Sequence, residues 1–229
     1  MKIMGVVLAA GLGKRMKSGL YKVLHPVCGK PMVEHIIDAL DGAGVERKVV
    51  VVGHGAEPIT AHLKEIAPDA VTVLQEVQLG TGHAARVALD AYGPAEGTVV
   101  IVNGDVPLLR PATLRSLVDA HEAAGAAATI LTAEVEQPYG LGRVIRNPVT
   151  GAVDAIVEER DATPEQRAVA EINAGVYAFE ASLLAQSLGK LTTANAQGEE
   201  YLTDVIGLLV DAGHGVLAHA TGDPTEVLG

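Results

Sequence analysis

Short runs of β-branched and aliphatic residues alternate with longer segments of helical periodicity along the first half of this chain. In the segment 31–43, for example, apolar residues recur at three- and four-residue intervals, with Pro31 at the start and Gly44 just after the end. This alternation is typical of βαβ units, which build a mainly parallel, doubly wound sheet. The pattern predicts strands at 3–9, 48–52, 71–75, 98–102 and 127–134, and helices at 31–43, 57–66, 80–90 and 111–124.

After about residue 138 the pattern changes to shorter segments, and the strands there are expected to be mixed or antiparallel. We therefore predict an α/β fold, a Rossmann-like, mixed but mainly parallel sheet flanked by helices. Residues 1–135 would form one half of a single domain, and residues 136–229 a smaller lobe. The second half is predicted to contain strands at 143–146, 152–158, 175–179 and 216–219, a polar stretch at 159–167, and helices at 183–191 and 201–212.

The charge of the chain limits its partners. With 17 Lys and Arg against 28 Asp and Glu, the formal net charge is −11, which argues against a nucleic-acid partner or an anionic membrane surface. The single cysteine, Cys28, excludes an intrachain disulfide and favours a reducing compartment. Because no run of about 18 apolar residues occurs, we expect a cytoplasmic protein with no membrane segment.

The loop after the first predicted strand is basic. Six Lys and Arg residues precede Glu34, the first acidic residue of the chain. Gly11 and Gly13 interrupt the apolar run, so the backbone can turn tightly and main-chain N–H groups can surround phosphate oxygens. A basic, glycine-rich loop in an acidic chain predicts a small anionic ligand, although an ordinary strand-to-helix connection with solvated charges also fits the loop alone.

Two further polar segments follow predicted strands, and ligands of such sheets bind at the carboxyl ends of the strands. Gln75 could donate to and accept from a nucleobase edge, Gly80 permits close approach, and Thr81 either adds a hydroxyl or caps the next helix. Asp105 either caps a turn or holds Mg²⁺ while nucleotide phosphates complete the coordination. Because all these segments end strands on the same side of one sheet, the ligand-binding interpretation is favoured.

Several motifs resemble those of the sugar-1-phosphate nucleotidyltransferases. Residues 8–16 read Leu-Ala-Ala-Gly-x-Gly-x-Arg-Met, and Lys22-Val23-Leu24 follow them. The chain is most similar to one branch, the N-acetylglucosamine-1-phosphate uridylyltransferase domain of the bacterial bifunctional enzyme that makes UDP-N-acetylglucosamine. The matching segments cover essentially the whole chain in order: 75–84, 103–108, 142–143, 156–158, 161–163, 171–175 and 195–204.

The resemblance implies a reaction and a role for individual residues. N-acetylglucosamine 1-phosphate would attack the α-phosphorus of UTP, releasing pyrophosphate and forming UDP-N-acetylglucosamine for cell-envelope synthesis. Arg15 would bind the pyrophosphate, Lys22 the α-phosphate, and Asp105 the cofactor Mg²⁺. The implied substrate-binding residues are Leu8, Ala9, Ala10, Gly11, Gln75, Gly80 and Thr81 for uridine, Asn103 and Gly104 against the nucleotide, and Gly142, Glu158 and Asn173 on the sugar and ribose side.

The same resemblance makes residues 1–135 the nucleotide-binding half and residues 136–229 the sugar-side half. Lys14 stands where the family often has Thr, Tyr21 where Pro is usual, and Asn103 where relatives have an aromatic or other residue. The chain is expected to stop before an Asn that supplies a second metal contact, so we expect weakened turnover. We also expect it to lack the C-terminal β-helix acetyltransferase domain and the trimer contacts that this domain provides.

The sequence leaves alternative functions open. The chain could transfer another nucleotide or use another sugar 1-phosphate, or it could bind a nucleotide sugar with little catalysis. A dinucleotide-dependent oxidoreductase is disfavoured, because Met16 occupies the place of the third glycine in the fingerprint of that class.

Overall fold

A mixed β-sheet forms the centre of the computed structural model, which describes residues 3–11, 13, 16, 18–93 and 96–227. Within those residues, nine strands belong to this sheet, and two short strands form a separate hairpin. The strands are β1 Ile3–Ala9, β2 Pro26–Val27, β3 Lys30–Pro31, β4 Arg47–Val52, β5 Val71–Leu74, β6 Thr98–Asn103, β7 Ala128–Glu134, β8 Arg143–Arg146, β9 Val153–Val157, β10 Glu171–Glu180 and β11 Val216–Ala220.

Helices cover both faces of the sheet. The 3₁₀ helices Lys22–Leu24 and Pro224–Val227 accompany them. In the part of the chain that the structure describes, no helix is both long and apolar enough to cross a membrane. The α-helices are α1 Met32–Gly42, α2 Glu57–Ile66, α3 Thr81–Tyr92, α4 Pro111–Ala124, α5 Pro164–Arg167, α6 Ala181–Leu188 and α7 Asp204–Asp211.

The main path across the sheet follows the order β11-β7-β10-β6-β1-β4-β5, and β8 and β9 extend from β10. β1 lies between β4 and β6 and is parallel to both. Val7 is the register partner of Val50 on one side and of Val102 on the other, and all three side chains are fully buried. A strand covered on both faces requires apolar residues at successive positions, which explains the unbroken aliphatic run that predicted it.

Two hydrophobic clusters, one on each face, join the helices to the sheet. Side chains such as Ile37, Leu63 and Leu117 place α1, α2 and α4 in the first cluster. Leu184 and Leu209 belong to the second cluster, which contains α3, α6 and α7. The predicted α/β class, with a mainly parallel sheet flanked by helices, is confirmed.

β10 departs from the parallel pattern, because it pairs antiparallel with β6 on one side and with β7 on the other. The sequence predicted only a short strand at 175–179, whereas β10 extends from Glu171 to Glu180. Its register with β7 shifts between Asn173 and Tyr177, around Gly175, whose φ of +70° lies in the left-handed region. The main sheet therefore runs through both predicted halves of the chain.

Two local features were not predicted. The hairpin of β2 and β3 has only two residues in each strand, which is too short to give a periodic signal. α5 lies inside the polar stretch 159–167, and it begins with a capping box in which Thr163 and Gln166 each satisfy a backbone N–H of the other. The capping residues were present in the sequence, but a one-turn helix offers no hydrophobic face to accompany them.

Candidate active site

Two cavities lie side by side at the carboxyl ends of β1 and β6. The first, of about 300 Å³, is lined by the loop after β1 and by the start of α3. The second, of about 370 Å³, is lined by the loop after β6, the turn before β8 and the bulged part of β10. Lys22, Thr81, Asn103 and Asp105 line both cavities, so the two spaces meet at these residues.

The cavities separate most of the predicted substrate residues into two groups. Gly104 is not a lining residue of either cavity, and Arg15 lies outside the described residues, so its role stays a prediction. Leu8, Ala9, Ala10, Gly11, Gln75, Gly80, Thr81 and Asn103 line the first cavity. Gly142, Glu158 and Asn173 line the second, together with the shared Thr81 and Asn103.

Lys22 and Asp105 form an ion pair where the cavities meet, with 2.5 Å between Nζ and Oδ2. Their side chains are 27% and 33% exposed, so both charged groups are accessible from the cleft. Gly13 packs directly on the lysine: its φ is +58°, and a Cβ at this position would lie 2.8 Å from the Cβ of Lys22. The glycine therefore permits the close contact that places the cation beside the carboxylate.

Gly104 fixes the backbone that carries Asp105. Its N–H donates to the carbonyl oxygen of Leu8 at 3.0 Å. A Cβ on Gly104 would lie 3.0 Å from the same oxygen and 2.9 Å from the side chain of Val23. Gly104 thus permits close packing behind the cleft, and its contact with the nucleotide stays a prediction.

Gln75 presents an acceptor to the first cavity. Its side chain is 3% exposed, and its Nε2 donates to the carbonyl oxygen of Gly80 at 3.1 Å. The same nitrogen lies 2.9 Å from Nδ1 of His83, which accepts the second amide hydrogen when the imidazole carries its proton on Nε2. Among the described residues nothing donates to Oε1, so the oxygen is the polar group left for a ligand.

Thr81 does not cap its own helix, which corrects one interpretation of the sequence. The N-cap of α3 is Gly80, with a φ of +115°, and the Oγ1 of Thr81 accepts the N–H of Leu202 at 3.0 Å. Gly82 in turn donates its N–H to the carbonyl oxygen of Glu200 at 2.8 Å. These contacts hold the segment before α7 against the start of α3, and they explain why α7 begins at Asp204 and not at 201.

Two polar lining residues of the first cavity were not assigned a role from the sequence. Gln78 donates from Nε2 to the carbonyl oxygen of Ala10 at 2.5 Å, and so ties the segment before α3 to the glycine-rich loop. Glu199 reaches the cavity from the segment before α7, and its Cβ lies 2.9 Å from where a Cβ on Gly80 would stand. Both residues belong to the matching motifs, but only the tertiary contacts show what they do.

Glu158 provides a carboxylate in the second cavity. Burial raises its pKa, and the nearby charges of Asp204 and Asp161 act in the same direction. Thr203 opposes part of this effect by donating from Oγ1 to Oε1 of Glu158 at 2.9 Å. Gly142 lies next to this group, since a Cβ there would be 3.5 Å from either carboxylate oxygen.

Asn173 is held at the register shift of β10. Its Oδ1 accepts the N–H of Gly175 at 3.1 Å, and its Nδ2 donates to the phenol oxygen of Tyr177 at 2.6 Å. Burial raises the pKa of Tyr177 far above its ordinary value, so the phenol stays protonated. Asn103 lies against the same bulge: a Cβ on Gly175 would be 2.1 Å from its Nδ2.

Arg143 supports the second cavity from behind, although no role was predicted for it. Its side chain is 2% exposed, its NH2 donates to Oε2 of Glu159 at 2.7 Å, and its NH1 donates to the carbonyl oxygen of Leu141. One buried guanidinium therefore connects the turn that contains Gly142 with the chain segment that follows Glu158. A Gly-Arg pair alone does not reveal such a contact.

Asp105 is the candidate metal ligand within the residues that the structure describes. In those ranges no group of three or more His, Cys, Asp or Glu residues is arranged to hold a metal ion. A single carboxylate beside a phosphate-sized space is compatible with Mg²⁺, which usually takes one or two carboxylates together with substrate phosphates and water.

Comparison with known proteins identifies the family. The family model of the MobA-like NTP transferase domain matches residues 5–189. The chain belongs to this family. The MobA-like NTP transferase domain described here is 54% identical over 225 residues to the bifunctional protein GlmU of Streptomyces coelicolor, and 54% identical over 228 residues to that of Thermobifida fusca. In both cases the alignment covers 98% of this chain and 47% of the relative.

A third relative, the bifunctional protein GlmU of Brevibacillus brevis, is 50% identical over 228 residues and is covered to 49% of its length. The chain thus spans about half the length of these curated relatives. The resemblance to the bacterial bifunctional enzyme that the motifs indicated is confirmed.

Solved structures support the fold of this NTP transferase domain. A UDP-glucose pyrophosphorylase complexed with UDP-glucose superposes with a TM-score of 0.77 at 16% identity, covering 95% of this chain and 90% of that one. A putative glucose-1-phosphate thymidylyltransferase from Bacillus anthracis also reaches a TM-score of 0.77 at 18% identity, with 96% and 87% covered. At these identities the comparison shows a shared fold.

Proposed function

We propose that this chain transfers the uridylyl group of UTP to N-acetylglucosamine 1-phosphate, giving UDP-N-acetylglucosamine and pyrophosphate. The observation that carries the proposal is the pair of cavities that meet at Lys22 and Asp105. Such a site can hold two anionic substrates with their phosphates at one junction, which is the main demand of nucleotidyl transfer. The motif resemblance and the identity to bifunctional GlmU proteins support these substrates.

The first cavity suits a uracil base. Gln75 uses its amide hydrogens within the protein, so its oxygen is left to accept the N3–H of uracil. Cytosine presents an unprotonated N3 at that edge, and two acceptors would then face each other. The apolar wall formed by Leu8, Ala9 and Ala10 covers the face of the nucleoside.

Lys22 would bind the α-phosphate and stabilise the charge that accumulates on it during transfer. The phosphate of the sugar substrate is already an anion near neutral pH, so the attack requires no general base. Arg15 would bind the leaving pyrophosphate with its planar donor group. The protein then acts mainly by holding the two phosphates in line and by compensating their charge.

The metal cofactor would be a divalent cation, and we propose Mg²⁺ held by Asp105. Bound there, the ion would supply charge neutralisation across the phosphates. A cation that binds Oδ2 of Asp105 would displace Lys22, which pairs with that oxygen in the structure. Its ammonium group is then available to a phosphate.

The second cavity would hold the amino sugar. The carboxylate of Glu158 can accept from sugar hydroxyls, and Asn173 offers an amide to the same space. Residues 1–135 would thus contribute most of the nucleotide side and residues 136–229 most of the sugar side. UTP is a cytoplasmic metabolite, so we propose that the reaction takes place in the cytoplasm and supplies cell-envelope synthesis.

The test is a pyrophosphate-release assay with Mg²⁺, in which UTP, dTTP, GTP and CTP are each combined with N-acetylglucosamine 1-phosphate and with glucose 1-phosphate. We expect UTP with N-acetylglucosamine 1-phosphate to be the fastest pair, and Asp105→Ala to lose at least about 100-fold in rate. Asp38→Ala, which alters an exposed partner of Lys30, is the matched control.

If another combination of nucleotide and sugar phosphate reacted fastest, the chain would catalyse a different nucleotidyl transfer from the one proposed. UDP-N-acetylglucosamine binding by calorimetry without any pyrophosphate release would indicate a binding module.

A further inference from the structure

Glu226 is a buried carboxylate at the far end of the described chain. It lies on the 3₁₀ helix Pro224–Val227, and its side chain is 4% exposed. Its Oε2 accepts from the Oγ1 of Thr113 at 2.6 Å and from the backbone N–H of Arg110 at 3.3 Å. Its Oε1 lies 3.2 Å from NH1 of the same arginine.

These contacts place the carboxylate at the N-terminus of α4. Arg110 is the N-cap of that helix, no side chain of the cap itself accepts a backbone N–H, and the first turn contains no acidic residue. A negative charge at a helix N-terminus is stabilised by the free N–H groups there. Glu226 therefore supplies to α4 the acceptor that the local sequence lacks.

A second contact between the same segments involves Asp223. Its Oδ2 lies 2.8 Å from NH2 of Arg110, and its Oδ1 accepts from both the N–H and the hydroxyl of Thr225. The segment 223–227 is thus ordered within itself and attached to α4 at two carboxylates.

The start of α4 is also the end of the loop that carries Asp105. That loop is short, and it is closed by a hydrogen bond from the N–H of Leu109 to the carbonyl oxygen of Val106 at 3.2 Å. Val106, Leu109 and Val227 belong to one buried cluster. Val227 lines the second cavity together with Asp105 and Val106. The segment 223–227 therefore packs against the loop from the same side as the cleft.

We propose that Glu226 is a positioning residue for the loop 104–110, which it fixes by joining the segment 223–227 to the start of α4. The inference rests on the proposed function, because it assigns to Asp105 the role of cation ligand. Glu226 contacts no substrate; it acts through Arg110 and Thr113. The distance between the Asp105 carboxylate and the phosphates then depends on a contact outside the cleft.

The test compares Glu226→Gln and Thr113→Val with the wild-type chain. Glu226→Gln removes the charge but keeps the shape, and Thr113→Val removes one hydrogen bond to the carboxylate. Asp119→Asn is the matched control, because Asp119 forms an ion pair with Arg115 on the same helix, away from the loop. The measurements are kcat and KM for UTP, Mn²⁺ affinity by electron paramagnetic resonance, and hydrogen–deuterium exchange of the segment 104–110.

We expect Glu226→Gln to lower kcat by about tenfold, because a small displacement of a reacting group has a large effect on rate, with KM for UTP changed by less than about twofold. In Glu226→Gln, Mn²⁺ binding should weaken and hydrogen–deuterium exchange in 104–110 should increase. Thr113→Val should shift Mn²⁺ affinity and exchange in the same directions, but by smaller amounts. Asp119→Asn should leave all three readouts at their wild-type values.

A lower melting temperature with unchanged Mn²⁺ affinity and unchanged exchange in 104–110 would overturn the proposal and leave Glu226 a purely structural residue. If Glu226→Gln does not fold, the same two readouts on Thr113→Val decide the question. If the wild-type chain does not transfer uridylyl groups, the proposed function fails, whereas the Mn²⁺ and exchange measurements still test the positioning role.

Discussion

At the scale of single residues, the ion pair of Lys22 and Asp105 has the largest consequences for metal and phosphate binding. Both residues were assigned from motifs, and the structure brings them within 2.5 Å of each other at the junction of the two cavities. In this structure each is thus the charge partner of the other. The sequence could indicate both charges, but their mutual neutralisation depends on how β1 and β6 pair and could not be read from the chain.

Lys22→Gln should make the carboxylate of Asp105 more available to a divalent cation. Without nucleotide, we expect Mn²⁺ to bind about fivefold more tightly than to the wild type, since a partly exposed ion pair is worth about 1 kcal/mol. Transfer should nevertheless fall by about 100-fold, because the phosphate loses its cation. Electron paramagnetic resonance measures the first effect, and Lys30→Gln, at an exposed cluster, is the control. Unchanged Mn²⁺ affinity would contradict the competition.

Gln75→Leu tests the recognition of the base. We expect KM for UTP to rise by about tenfold or more, and the preference for UTP over CTP to fall, because the acceptor for N3–H is lost. Steady-state kinetics with both nucleotides measures the effect. His83→Asn keeps an acceptor oxygen near the position of Nδ1 and alters no cavity-lining residue, so it should keep the UTP preference. An unchanged ratio of UTP to CTP in Gln75→Leu would exclude the assigned contact.

Glu158→Gln should change stability in a pH-dependent way. Burial raises the pKa of Glu158, so the folded state prefers the neutral acid, and ionisation reduces stability as the pH rises above the ordinary glutamate value of 4.5. The neutral glutamine should therefore raise the melting temperature near pH 7 and have no such effect below that value. Affinity for the sugar phosphate should fall at the same time.

Glu165→Gln is the control of opposite sign. Hydrogen bonds from the backbone N–H of Glu165 and from Thr163 lower the pKa of that carboxyl, so the charged form contributes stability above its ordinary pKa. The substitution should lower the melting temperature near pH 7 and lose its effect as the pH falls. If both variants changed the melting temperature near pH 7 in the same direction, the raised pKa assigned to Glu158 would be contradicted.

At the scale of elements, the sequence predicted the parallel strands well but placed the start of α7 too early. The parallel strands were predicted because helices cover them on both faces, and their aliphatic runs are unbroken. By contrast, the predicted helix at 201–212 starts later, since Leu202 donates its N–H to Thr81 and not to a helical carbonyl. A contact between positions so distant in sequence leaves no periodic signal.

Gly80→Ala tests the contact between this segment and α3. A Cβ at Gly80 would lie 2.5 Å from the carbonyl oxygen of Glu200, and the φ of +115° is unfavourable for other residues. We expect a loss of about 2 kcal/mol in the free energy of unfolding, measured with urea, and weaker nucleotide binding by calorimetry. Gly198→Ala also has a positive φ but open space around it, so it should lose less stability and keep nucleotide affinity. If both variants lost the same stability and the same nucleotide affinity, the close contact between Gly80 and Glu200 would have no specific role.

At the scale of the whole molecule, the main sheet joins the two predicted halves through β10. The change to shorter segments after about residue 138 correctly indicated mixed pairing, but it could not indicate that β10 lies between β6 and β7. Strand order depends on pairing between residues that are distant in the sequence. The local pattern of residues contains no signal for such pairing. The assignment of one half to the nucleotide and the other to the sugar stays a prediction that the substrate panel can test.

Because β10 pairs with β6 and β7 together, we expect the chain to unfold in one cooperative transition. Urea denaturation followed by far-ultraviolet circular dichroism and by fluorescence of the five tyrosines should give the same midpoint, the chain having no tryptophan. Separate midpoints for the two probes would show that the halves unfold independently.

The antiparallel neighbour of β6 also links the two cavities. Asn103 at the end of β6 and Gly175 in β10 belong to strands that are directly hydrogen-bonded, at a spacing of about 4.8 Å. Within the part of the chain that the structure describes, the two cavities therefore share hydrogen-bonded strands as their floor. Under the proposed function, the pairing of these two strands sets the distance between the nucleotide and the sugar phosphate.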